Sequence, residues 1–144
     1  MMPRAAIGHR RRVQWAWPAL GVVLLLLVVG LSLTPRPPHV PLGPHGDKLA
    51  HWVAYAVLMG YHAWLYPGRW MRMAWALFLV ALGIALEGLQ GWGGVRRFEY
   101  ADMVADAAGV ATGLGLVLLA VAVGCLPPSP FRTPALRPRR GRRV

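Results

Sequence analysis

Apolar residues run through this chain in long blocks separated by prolines, glycines and arginines. Trp15 to Leu33 carries no charge over nineteen residues, enough helix to cross a hydrocarbon core of ~30 Å. Thr34 to Gly46 follows with five prolines, an extended connector that cannot be helical. A second block spans about Asp47 to Tyr66 and stops at Pro67–Gly68. A third runs from about Arg69 to Gln90, where Gly91 to Gly94 ends it. The fourth covers about Ala101 to Leu126 and is closed by Pro127 to Pro130. The pattern predicts an all-α integral membrane protein, a bundle of four transmembrane helices. It divides into a basic N-terminal segment (residues 1–14), a transmembrane domain (15–126) and a basic tail (127–144). The composition of that tail predicts disorder. No internal repeat is present. The first block has the basic start of a signal peptide, but its apolar run is long and no small-x-small cleavage site follows. It reads as a retained anchor.

Composition sharpens this picture. Of 144 residues, 56% are hydrophobic, and the mean hydropathy of +0.44 disfavours a soluble domain. Sixteen basic residues against five acidic ones give a net charge of +11. Such charge marks either a nucleic-acid binder or a membrane protein with basic flanks. The arginines cluster at Arg10 to Arg12 and Arg137 to Arg143, outside the apolar blocks. The partner is therefore the lipid bilayer and not nucleic acid. With the N-terminus inside, the inner segments hold Arg4, Arg10, Arg11, Arg12, Arg69, Arg72 and six tail arginines. Only Arg36, Lys48, Arg96 and Arg97 fall outside. Basic residues favour the cytoplasm, so both termini are expected there. Cys125 is the single cysteine, which excludes an intrachain disulfide and a thiolate metal cluster. It reads as a small buried apolar side chain.

On this topology the polar residues converge. Asp47, His51 and Tyr55 recur every four residues, which places them on one helix face. Glu87 and Gln90 lie at the outer end of the third helix, and Asp102 and Asp106 at the outer end of the fourth. His51, Glu87 and Asp106 each sit about one turn, ~6 Å, inside a helix end. A charge in the bilayer core costs roughly 2.5–3.5 kcal/mol on insertion scales, so three such groups at one depth should face one another or a wet pocket. Taken alone, Asp47 and Asp102 read as N-caps, Lys48 as a snorkelling residue, and Trp52, Trp92 and Tyr100 as aromatic-belt residues facing lipid. His62, near the inner end of its helix, reads as a core histidine. Ala105, Gly109 and Gly113 form a small-xxx-small stripe beside the Asp102–Asp106 face, which permits close helix approach.

The order Asp47-Lys48-x-x-His51-x-x-x-Tyr55, then Glu87-x-x-Gln90, then Arg97-x-x-x-x-Asp102-x-x-x-Asp106-x-x-Gly109 resembles the VanZ-like family of small bacterial membrane proteins. The likeness covers about Gly46 to Leu118, with one departure: Asp106 stands where many members have Asn. The resemblance implies a multi-pass protein of the bacterial inner membrane. It also implies a role in the cell envelope of the kind that gives the family its name, resistance to teicoplanin.

Two classes of function fit these residues. The first is a binding protein whose outer-leaflet pocket holds an envelope lipid headgroup or a glycopeptide-related ligand. His51, Glu87 and Asp106 would form its centre, with Asp47, Tyr55, Gln90, Arg97 and Asp102 around them. The alternative is a membrane enzyme acting on a lipid or lipid-linked glycan, with the His51, Glu87 and Asp106 cluster doing acid–base work. A divalent cation among Asp47, His51, Glu87 and Asp106 would neutralise the acids. Arg96 and Arg97 would hold an anionic phosphate. No nucleophile stands out, and the oligomeric state is not encoded in the pattern.

The arginine distribution makes a direct prediction. A reporter that folds only in the cytoplasm, fused after Val144, should be active. Activity of a periplasm-dependent reporter at the same position would reverse the topology and move the polar cluster to the other leaflet.

Overall fold

The computed structural model describes residues 4–35, 45–93 and 98–131, with the backbone alone described for 4–13. Arg96 and Arg97, most of the proline-rich connector and residues 132–144 lie outside the described residues. Four helices account for nearly all of the rest: α1 (Arg4–Ser32), α2 (Gly46–Leu65), α3 (Arg69–Trp92) and α4 (Tyr100–Ala122). The described residues contain no strand. Gln14–Ser32 of α1, all of α3 and all of α4 are long and apolar enough to cross a membrane, and the chain is a membrane protein. α2 has the length, at 20 residues, but Asp47, Lys48, His51 and His62 lower its apolar character.

The boundaries follow local chemistry. α3 and α4 begin within a residue of the expected positions, because Pro67–Gly68 and the glycine-rich connector punctuate the chain there. α4 ends four residues earlier than the apolar run suggests. Gly124 takes φ +72°, and the N–H groups of Gly124 and Cys125 donate to the carbonyls of Val121 and Ala120. This is a Schellman stop, which a glycine in the left-handed region makes possible. It leaves Cys125 just past the helix end, exposed and not buried as its apolar surroundings in the sequence suggest. Residues 127–131, assigned to the tail by composition, fold back on the end of α2. Ser129 Oγ donates to the Leu65 carbonyl at 2.7 Å, and Trp64 Nε1 donates to the Pro127 carbonyl at 3.0 Å.

α2 is the hub. It packs on α4 along most of its length, while α3 leans on both and α1 lies against α2 and α3. The core combines Tyr55, Leu58, Met59 and Ala63 of α2 with Leu79 of α3 and Val110 and Val117 of α4. The α2–α4 contact is backbone on backbone. A Cβ at Gly109 would overlap the Trp52 carbonyl oxygen, and one at Gly113 would overlap that of Ala56. In lipid there is little hydrophobic drive between helices, so such close van der Waals fit supplies the association. Outward-facing Leu, Val and Ile side chains on all four helices remain exposed, a continuous apolar surface that suits lipid and not water. Trp15 and Trp70 are exposed near one end of the bundle, and Trp92 and Tyr100 at the other, as aromatic belts are.

Trp52 does not belong with them. It is half-buried, and its indole N–H donates to Thr112 Oγ1 at 3.3 Å. The close approach at Gly109 draws its backbone, and with it the ring, into the α2–α4 seam.

The seam can be tested by one methyl group. Gly113→Ala should destabilise the bundle by about 1–3 kcal/mol through overpacking, read from unfolding in mixed micelles. Gly115→Ala, two residues on with open space around its Cα, should leave stability unchanged. Equal behaviour of the two variants would refute a glycine-dependent seam.

Candidate functional site

One end of the bundle is formed by the starts of α2 and α4 and the ends of α1 and α3. All five acidic residues of the chain, Asp47, Glu87, Glu99, Asp102 and Asp106, belong to this end. At its centre His51 Nδ1–H donates to Asp106 Oδ1 across the seam, at 3.0 Å. Asp106 is only 4% exposed. The seam brings the α2 and α4 backbones close enough for a histidine and an aspartate, both short, to meet. Room for the carboxylate comes from α3: a Cβ at Gly83 would lie 2.6 Å from Asp106 Oδ2. Asp106 is thus held between an imidazole on one helix and a bare glycine backbone on another.

A second ion pair lies nearer the surface. Lys48 Nζ donates to Glu99 Oε2 at 2.6 Å and to Asp102 Oδ1 at 3.1 Å. Lys48 is therefore not a snorkelling residue. Asp102 is buried, and the residue before α4, Glu99, stands beside it to complete the pair. Asp47 and Asp102 occupy the first turns of their helices and do not cap them; His45 and Glu99 hold the N-cap positions. Carboxylates in a first turn still gain from the helix dipole. Asp47, His51 and Asp102 each offer one donor atom, and the three atoms lie within 4.8 Å of one another. Among the described residues, these are the ones placed to share a metal ion.

Glu87 does not join His51 and Asp106. It is buried, and its carboxylate accepts the backbone N–H of Glu99. Amides at a helix start lack intrahelical acceptors, and the short connector brings this one onto Glu87. Gln90, also buried, donates from Nε2 to the carbonyl of Ser32, the last residue of α1, at 2.5 Å. Both residues tie helix ends together, and among the described residues neither hydrogen-bonds to His51 or Asp106. Tyr55 lies one turn deeper than His51 and is 1% exposed. Its hydroxyl has no hydrogen-bond partner among the described residues, while its ring packs in the core. Arg97 and Arg96 lie outside the described residues.

The opposite end has a different character. His62 is buried, donates from Nδ1 to the Leu58 carbonyl at 2.8 Å, and stacks on Trp75 with centroids 3.8 Å apart. It is a satisfied core histidine.

Three participants escaped sequence reasoning. Lys48 at a helix start looks like an interfacial charge, Glu99 sits outside the apolar blocks, and Gly83 looks like any other glycine in a span. A signal for Gly83 does exist: on the α3 face of Leu79, Leu86 and Gln90, all buried, it is the one position without a side chain. Comparison with known families, curated proteins and solved structures finds no match to this chain.

Proposed function

We propose that this is a VanZ-like protein of the bacterial cytoplasmic membrane that binds an envelope lipid headgroup, or a glycopeptide-related ligand, at the outer leaflet. On this reading α2 is the fourth span, both termini are cytoplasmic, and the acidic end opens outward. The observation that carries it is the gathering of every acidic residue at one end of an otherwise apolar bundle, around the buried His51–Asp106 pair. Structural needs alone do not call for this. Glu87 and Gln90 satisfy helix ends, but the His51–Asp106 pair satisfies no backbone group among the described residues. Buried ionisable groups in membrane spans are costly and serve function by default. The arginine bias supports the orientation, and the acidic residues lie within about two turns of the helix ends. The His51–Asp106 pair also favours a second reading. An imidazole oriented by a carboxylate is the arrangement of a general base, so an enzyme working on a lipid or lipid-linked glycan is the alternative.

The test is lipid retention. Protein extracted in mild detergent should carry a defined lipid or lipid-linked species, identified by mass spectrometry of the extract. His51→Ala should lower its retention by about tenfold or more, the scale of losing a hydrogen bond to a charged group, with insertion intact. Val53→Ala, an exposed neighbour on the lipid side of α2, should match the wild type. Equal retention in both variants, or only bulk phospholipid in the extract, would defeat the binding reading. Conversion of the retained species by wild type and not by His51→Ala would establish the enzyme.

A further inference from the structure

Asp47, Glu99, Asp102 and Asp106 stand around Lys48 and His51. Lys48 reaches Glu99 and Asp102, and His51 reaches Asp106. We propose that Asp47, His51 and Asp102 bind a divalent transition-metal ion of the zinc or manganese class, with Asp106 as the carboxylate that orients the imidazole.

Four features argue for it. The first is composition: two carboxylates and one imidazole are a mixed oxygen and nitrogen donor set. Such a set suits zinc or manganese, whereas calcium and magnesium prefer oxygen alone. The second is distance. Donors each ~2.1 Å from a common ion stand no more than ~4.2 Å apart. The trio, within 4.8 Å, needs a closure of only about half an ångström. Asp47 and His51 share one face of α2, and Asp102 comes from the first turn of α4. Rotations of two short side chains at the helix starts accomplish that closure without moving the seam. Lys48 takes Asp102 Oδ1, and a carboxylate has a second oxygen to offer an ion.

The third feature is the partner of the imidazole. Metal-bound histidines donate their second ring N–H to a carboxylate, which fixes the tautomer and raises the basicity of the ligand. His51 Nδ1 is so bonded to Asp106, which directs coordination to Nε2. Asp106 in turn is fixed against Gly83. The fourth lies outside the trio. The Tyr55 hydroxyl, one turn below His51 and within electrostatic reach of Asp106, is buried without a partner among the described residues. An unsatisfied buried hydroxyl costs roughly 1–3 kcal/mol. Water or ligand oxygen drawn in with an ion would satisfy it. Three protein donors leave coordination positions open, as in sites that bind substrate or water. An ion there would let an acidic pocket accept an anionic group, and this last role, unlike the ion itself, rests on the headgroup reading above.

The experiment uses the full chain, stripped with a chelator and exchanged into phospholipid-free micelles, with Mn²⁺ as the probe. Electron paramagnetic resonance should report one tightly bound ion per chain, with nitrogen coupling from one imidazole. His51→Gln should abolish the nitrogen coupling, and Asp102→Asn should weaken binding. Asp106→Asn should lower affinity about 10–100-fold, as loss of an orienting partner does, while retaining the nitrogen signature. Asp47→Asn, at the end of α2 and outside the seam, guards against loss of fold and should also weaken binding. Val53→Ala should bind as wild type does. Absence of stoichiometric Mn²⁺ in folded wild-type protein would overturn the site, as would binding indifferent to His51→Gln, Asp47→Asn and Asp102→Asn. Because no phospholipid is present, failure here leaves the headgroup reading standing, and failure of lipid retention leaves the ion standing.

Discussion

Asp106 lies in a stretch whose other members are alanine, valine, glycine and threonine, and an isolated carboxylate there would be costly to bury. What makes it tolerable is the imidazole of His51, 3.0 Å away on another helix. That hydrogen bond can form only if α2 and α4 approach closely. The approach in turn requires Gly109 and Gly113, where any Cβ would overlap the facing backbone. Gly83 completes the arrangement by letting α3 close over the carboxylate. Three glycines on two helices thus create a space of the right size for one ion pair. Polar chemistry and apolar packing are here a single constraint: remove the seam and the pair separates, while remove the imidazole alone and the seam encloses an unpaired carboxylate.

From this centre the acidic end is assembled outward in layers. Tyr55 lies deepest, with His51 and Asp106 above it and Asp47, Lys48, Glu99 and Asp102 at the helix starts. Glu87 and Gln90 brace the rim by accepting the amide before α4 and by donating to the last carbonyl of α1. This division of labour separates residues that hold the bundle end together from residues with chemistry to spare. The aromatic end makes the contrast plain. There His62 hydrogen-bonds to its own helix and stacks on Trp75, and nothing charged faces it among the described residues.

Much of this was legible in the amino-acid order. Apolar blocks and proline or glycine breaks located α2, α3, α4 and the end of α1 to within a few residues, because both signals act locally; the start of α1 was not located, since the helix runs on through the basic stretch to Arg4, eleven residues before the apolar block. The i, i+4 spacing of His51 with Asp47 and Tyr55, and the small-residue stripe beside Asp106, pointed to the faces that meet. Depth alone was a poorer guide. Glu87 lies at the level of His51 by register, yet an unsatisfied amide at the start of α4 captures it. That competition depends on how a short connector folds, and helix periodicity carries no information about it. Lys48 and Glu99 were missed for the same reason, being 51 residues apart in sequence and joined only by the bundle. Trp52 misled because an indole at a helix end is as apt to face lipid as to enter a seam, and only the glycine opposite decides.

The dependence of the bundle on the His51–Asp106 bond is open to a double-mutant cycle. Unfolding free energies in mixed micelles for wild type, His51→Gln, Asp106→Asn and the double variant isolate the coupling between the two side chains. A direct hydrogen-bonded pair across the seam should give a coupling of about 1–3 kcal/mol, with the double variant more stable than the sum of the single losses allows. Strict additivity of the two substitutions would contradict the pairing on which the acidic end is built.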